Sequence, residues 1–181
     1  MTSTDEVAIP LSKTKLLLML AGSLAFVAIG LWFVIAPPNF RNSYWAARAG
    51  VAGAAGIVVF GLFAFFLARK LRDSRPGLVV SNRGFYDNAS ATPAGEVLWD
   101  DVTGFDVMQI QGQRMIVVLV KNPEEYIERQ TSAFKRKLMS MNANMAGSPI
   151  SISANSLQIG FDELLALLIA RLDAHHGGND R

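Results

Sequence analysis

Leu16 to Ile35 reads LLLMLAGSLAFVAIGLWFVI and Ala49 to Ala68 reads AGVAGAAGIVVFGLFAFFLA, two runs of twenty residues without a charge. As a helix, each run is about 30 Å long, which matches the hydrocarbon core of a bilayer. One such run suits a buried globular helix. Two in close succession predict membrane spans, over residues 16–35 and 46–68. Between them lies APPNFRNSYWAAR, with two prolines, two asparagines and two arginines, and this predicts a short extracytoplasmic loop over 36–45. Lys13 and Lys15 lead into the first run as they would in a signal peptide. Its apolar core, however, exceeds the ~7–15 residues of a cleaved signal, so an uncleaved anchor is expected.

Outward from the spans, charge is distributed unevenly. Residues 1–75 carry eight Lys/Arg against three Asp/Glu, and residues 76–181 carry nine against twelve. The chain's net +2 therefore combines a basic membrane-proximal part with a mildly acidic distal one, which argues against nucleic acid as a partner. Lys13 and Lys15 before the first span, and Arg69, Lys70, Arg72 and Arg75 after the second, outnumber Arg41 and Arg48 in and beside the loop. The excess predicts both termini in the cytoplasm, with 69–76 a basic juxtamembrane anchor. Trp32, Phe33, Phe40, Tyr44 and Trp45 fit an outer interfacial belt.

The second span is rich in small residues at helical spacing: Ala46, Gly50 and Ala54, with Gly53 beside them. Such spacing lets helix backbones approach closely in lipid, either within the hairpin or between chains. Neither span holds a charge between its ends, so conduction by this chain alone is not expected.

The distal part predicts seven short strands: 78–81, 85–88, 96–99, 105–111, 114–120, 150–153 and 156–159. A helical insertion separates the fifth and sixth. Pro123-Glu124-Glu125 opens it, a helix is expected from Ser132 to about Met145, and Gly147 and Pro149 stop it. A last helix runs from Phe161 to about His175, with Leu164, Leu165, Leu168 and Leu172 on one face and Gly177-Gly178 ending it. The expected fold is thus an α-helical membrane hairpin followed by an α+β domain, 77–176. Its strands form an antiparallel barrel or roll with a helical insertion and a C-terminal helix. Residues 1–15 read as a cytoplasmic lead and 177–181 as a flexible tail.

Several motifs in order carry a resemblance: IPLSKTK, PGLVVSNRGFYDNAS, VLWDDVTGF, VKNPEEYI, KRKLM and GSPISISANSL. Over roughly residues 9–175 the chain resembles a family of uncharacterised two-span bacterial inner-membrane proteins. More distantly, 78–175 is similar to bacterial pleckstrin-homology-like domains, through the rhythm of Gly84-Phe85-Tyr86-Asp87-Asn88 and Trp99-Asp100-Asp101-Val102. The resemblance implies a fold and no activity. Phosphoinositide-binding members carry several Lys/Arg between their first two strands. Here the expected loop, Ser81 to Gly84, offers only Arg83.

No catalytic constellation is legible. Asp100 and Asp101 are adjacent and point apart on a strand, two histidines (His175, His176) close the last helix, and there is neither a cysteine nor a G-x-S-x-G. No enzyme activity, cofactor, metal or small-molecule substrate is expected. The segment that invites a binding role is Phe134, Lys135, Arg136, Lys137, Leu138 and Met141, with Met145 further along. In the simplest arrangement Phe134, Leu138, Met141 and Met145 pack on the barrel while the charges face water. The alternative is an interfacial helix pressed on the leaflet or on a protein partner. The expected role is a membrane-tethered binding or scaffolding module, partnered by the bilayer and by a protein or a second copy. An accessory subunit assembled through the second span is the other reading.

Overall fold

A computed structural model describes residues 6–36, 43–90 and 92–179. Residues 37–42 of the expected loop, with Phe40 and Arg41, lie outside the described residues. Ser12–Ser74 form one compact unit, and the described residues on either side of it form a second.

The first unit is a helical hairpin. Helix α1, Lys13–Ile35, starts at Ser12, whose Oγ accepts a hydrogen bond from the Lys15 N–H at 3.4 Å. Helix α2, Ser43–Leu71, overruns both expected limits, so Arg69 and Lys70 sit in its last turn instead of in a linker. Cations there complement the carbonyl end of the helix dipole. The two helices touch backbone to backbone. A Cβ on Gly53 would lie 2.7 Å from the Gly30 carbonyl oxygen, and one on Gly30 would lie 2.8 Å from that of Gly53. Phe26 and Phe60 stack at 4.5 Å below this crossing. Ser23, buried, turns its hydroxyl back to the Met19 carbonyl at 2.7 Å, so this hydroxyl is satisfied within its own helix. Elsewhere both helices are apolar all round and largely uncovered: Leu18, Trp32, Val51, Leu62 and Phe65 are exposed. Each is long and apolar enough to cross a membrane, with mean hydropathy 2.4.

The second unit is built from chain on both sides of the hairpin. Strand β1, Val7–Ile9, pairs antiparallel with β2, Leu78–Val80, placing Val7 opposite Val80 and Ile9 opposite Leu78. Strands β3, Gly84–Asp87, and β4, Gly95–Leu98, complete a sheet in the order β1-β2-β3-β4. A 3-10 turn at Trp99–Asp101 leads to a second antiparallel sheet: β5, Val102–Ile110, β6, Gln113–Val120, and β7, Ile150–Ile152. Gln111 at φ 49° and Gly112 at φ 80° make the β5–β6 turn, one residue earlier than expected. Positive φ at both positions matches the right-handed twist of the flanking strands.

Seven strands are present among the described residues, but two expectations need correction. Residues 156–159 are not a strand; they hold part of a 3-10 turn, Ala154–Ser156, and a single bridge from Leu157 to Leu11. The seventh strand is instead β1, in the segment read as a plain cytoplasmic lead. Nor do the strands close into a barrel; four pair in one sheet and three in another. The loop between the first two strands is therefore not Ser81–Gly84. It is residues 10–77, the hairpin itself.

Helix α5, Phe161–Asn179, packs against β5 and β6 and buries Leu164, Leu168 and Leu172, one stripe at i, i+4, i+8. Leu165 is only half-buried. The helix runs through Gly177 and Gly178, so the expected stop and the tail at 177–179 are not observed. With these leucines the core holds Leu78, Val80, Phe85, Val97, Trp99, Ile116, Val118, Ile150, Ile152 and Leu157.

Candidate functional site

The insertion between β6 and β7 presents the least covered apolar surface of the β domain. Helix α3, Pro123–Glu128, has proline at its start, and helix α4, Ala133–Ala146, ends at Gly147 in the left-handed region at φ 77°. Its anchors are specific. Buried Tyr126 donates its hydroxyl proton to Asp101 Oδ2 at 2.7 Å, and burial together with that carboxylate pushes its pKa up. Arg129 lies over the Tyr126 ring at 4.6 Å and pairs with Glu125. Gln130 Nε2 donates to the Pro93 carbonyl at 3.3 Å. On the return, the buried Ser148 hydroxyl donates to the Val118 carbonyl. Helix α4 is thus held from both of its ends.

At 100° per residue, Phe134, Leu138, Met141 and Met145 fall within about 60° of one another on α4. Phe134 is 70% exposed, Met141 48% and Met145 65%, while Leu138 is half-buried. The expected packing of this stripe on the strands is therefore not observed. The helix uses another face, centred on fully buried Met139 with Ala143 and Ala146 half-buried beside it. Lys135, Arg136 and Lys137 do not act as one cluster either. Lys135 is half-buried, Arg136 Nη1 donates to the Gln130 carbonyl at 2.8 Å, and Lys137 stands exposed at the edge of the apolar stripe.

On α2 the small-residue stripe splits. Gly53 is taken up by α1, through Gly30, a partner that spacing within one helix does not reveal. Gly50 has nothing within 4 Å of a notional Cβ, Ala46 is half-buried and Ala54 exposed. Arg48 lies over Tyr44 at 4.9 Å and Trp45 at 5.6 Å, a cation held on two aromatic faces.

The acid pair is divided between partners. Asp101 serves Tyr126; Asp100 Oδ1 meets His175 Nε2 at 2.7 Å. His175 accordingly lies inside α5 and ties it to the 3-10 turn, rather than fraying at a terminus. The hydrogen bond from His175 holds the Asp100 carboxyl below its ordinary range. A depressed acid adds stability above its unfolded value, and loses that contribution as pH falls through the folded one. Asp100→Asn is expected to speed amide exchange in the last turns of α5 near neutral pH, and to match the parent only once the pH has fallen through the depressed value of the folded state, where both side chains are uncharged. A difference that persists in acid rules out the carboxylate as the cause.

Asp87, which spacing did not single out, is a buried acid that organises the β3–β4 connection. It accepts hydrogen bonds from the N–H groups of Ala89 at 2.9 Å, Ser90 at 3.2 Å and Ala94 at 3.2 Å. Burial outweighs these donors and raises its pKa. Among the described residues, no three His, Asp or Glu side chains gather as a metal set. Comparison with protein-family models, with curated proteins and with solved structures finds no match to this chain.

Proposed function

We propose that this protein is a membrane-tethered binding or scaffolding module of the bacterial cytoplasmic membrane, with α1 and α2 as its spans and the β domain in the cytoplasm. The observation that carries this reading is the pairing of β1 with β2. The strand before α1 and the strand after α2 lie side by side in one sheet, so the chain between them leaves a membrane on the side it entered. Two uncovered apolar helices of 23 and 29 residues supply an even number of crossings. The basic flanks set the orientation.

The domain's likeness to the pleckstrin-homology fold belongs to the same proposal. A four-stranded and a three-stranded antiparallel sheet, followed by a C-terminal helix, support it. In this chain the loop between the first two strands has become the anchor. Carrying the hairpin there ties the domain to the bilayer by two chain segments, and tethering makes weak surface binding effective. A subunit assembled through α2 keeps less of its support, because Gly53 already serves the hairpin.

The chain lacks cysteine, which makes labelling clean. Tyr44→Cys at the start of α2 and Thr103→Cys on β5 are both exposed positions. In intact bacterial cells an impermeant maleimide is expected to label Tyr44→Cys, and to reach Thr103→Cys only after permeabilisation. Labelling of Thr103→Cys in intact cells overturns the orientation; release of the protein by carbonate overturns the spans.

A further inference from the structure

We propose that α4 is a second membrane contact, whose Phe134, Met141 and Met145 side chains insert shallowly into an anionic leaflet. This deepens the tethered reading and rests on it. The helix carries two apolar faces with different uses. Met139, Ala143 and Ala146 turn toward the protein. Phe134, Met141 and Met145 lie more than a quarter-turn away and remain exposed, although each costs free energy in water. An unframed helix end could shed such residues by fraying, but this one is fixed through Gln130 and Pro93 on one side and Ser148 and Val118 on the other.

Charge selects the occupant. Helix α4 carries three bases and no Asp or Glu, although residues 76–181 as a whole are net acidic. Lys137 stands at the rim of the exposed stripe and Arg136 is exposed. An aromatic and two thioethers edged by lysine match the boundary between headgroups and acyl chains. So short a stripe binds weakly as an isolated helix. A domain joined to the bilayer at both ends of its anchor needs only weak binding, because the leaflet's effective concentration is already high.

The test uses the full chain in lipid nanodiscs. Asn144→Cys is exposed beside the stripe without belonging to it, and carries an environment-sensitive fluorophore. Asp106→Cys, exposed at the middle of β5, is the control. In discs containing phosphatidylglycerol, lipids with a nitroxide near the headgroup are expected to quench the label at 144 and not the one at 106. Phe134→Ser with Lys137→Gln should shift the docking equilibrium toward the undocked state by about a hundredfold, on the scale of one buried ring and one surface charge. All four substituted positions, 106, 134, 137 and 144, are exposed, so the fold should survive the changes. Quenching at 144 by aqueous iodide alone overturns the proposal, as does shielding that rises with the number of chains per disc. Failure to enter discs at all overturns the tethered reading instead.

Discussion

A chain that starts at Ser12 is expected to lose the cooperative unfolding of the β domain while its two long helices keep their helicity. Ile9 and Leu11 are buried, and each is worth roughly 1.5–3 kcal/mol in its covered state. The removed segment also supplies acceptors. The Ile9 carbonyl takes the Gly77 N–H at 2.9 Å, the Pro10 carbonyl takes the Gln158 N–H at 3.0 Å, and the Leu11 carbonyl takes Gln158 Nε2 at 3.1 Å. Each such bond contributes about 0.5–1.5 kcal/mol, and each donor left dry costs more. Together these losses approach the whole stability of a small domain, about 5–15 kcal/mol. Near-ultraviolet circular dichroism through a thermal ramp in detergent reads the result. A truncated chain melting within about 3 °C of the parent would show that β1 is ornamental to the domain.

This dependence on β1 explains where reading the sequence stopped. The two long apolar helices were legible because each rests on a run of twenty uncharged residues. Strands β2 to β7 and both helices of the insertion were legible to within a few residues, since turns such as Asn82-Arg83-Gly84 and stops such as Gly147 act locally. Strand β1 was not. Three residues, Val-Ala-Ile, carry no period, and their partner lies some seventy positions away beyond the hairpin. Counting Ser156–Ile159 as a strand filled the gap that β1 should have filled. The direction of α4 was hidden for a different reason. Met139 and the Phe134 stripe both recur at helical spacing, and spacing cannot say which of two apolar faces is covered. Gly30 and Gly53 meet across two helices, a relation with no signal in either one. His175 gains its role only when α5 brings it over Asp100.

Trp99→Ala is expected to cost the β domain about 3–5 kcal/mol, the usual range for removing a buried large aromatic. Trp99 is fully buried, lies 5.5 Å from the Phe85 ring, and donates its indole N–H to the Ser81 carbonyl at 2.9 Å. Trp99→Phe separates the two contributions. It keeps much of the ring contact but strands the Ser81 carbonyl, a loss of about 1–3 kcal/mol. For a domain near a hundred residues, each kcal/mol lowers the melting temperature by about 4–8 °C. The other two tryptophans, Trp32 and Trp45, belong to the hairpin, so the domain's tryptophan fluorescence vanishes with Trp99 and ultraviolet dichroism must report unfolding. A loss below about 1 kcal/mol for Trp99→Ala would mean that the site collapses around the cavity. The effect should also reach α4. Trp99 opens the 3-10 turn that aims Asp101 at Tyr126, and Tyr126 anchors the helical insertion. Loosening that turn is therefore expected to raise amide exchange across α3 and α4 before the sheets themselves open, tying the exposed apolar face of α4 to one buried indole.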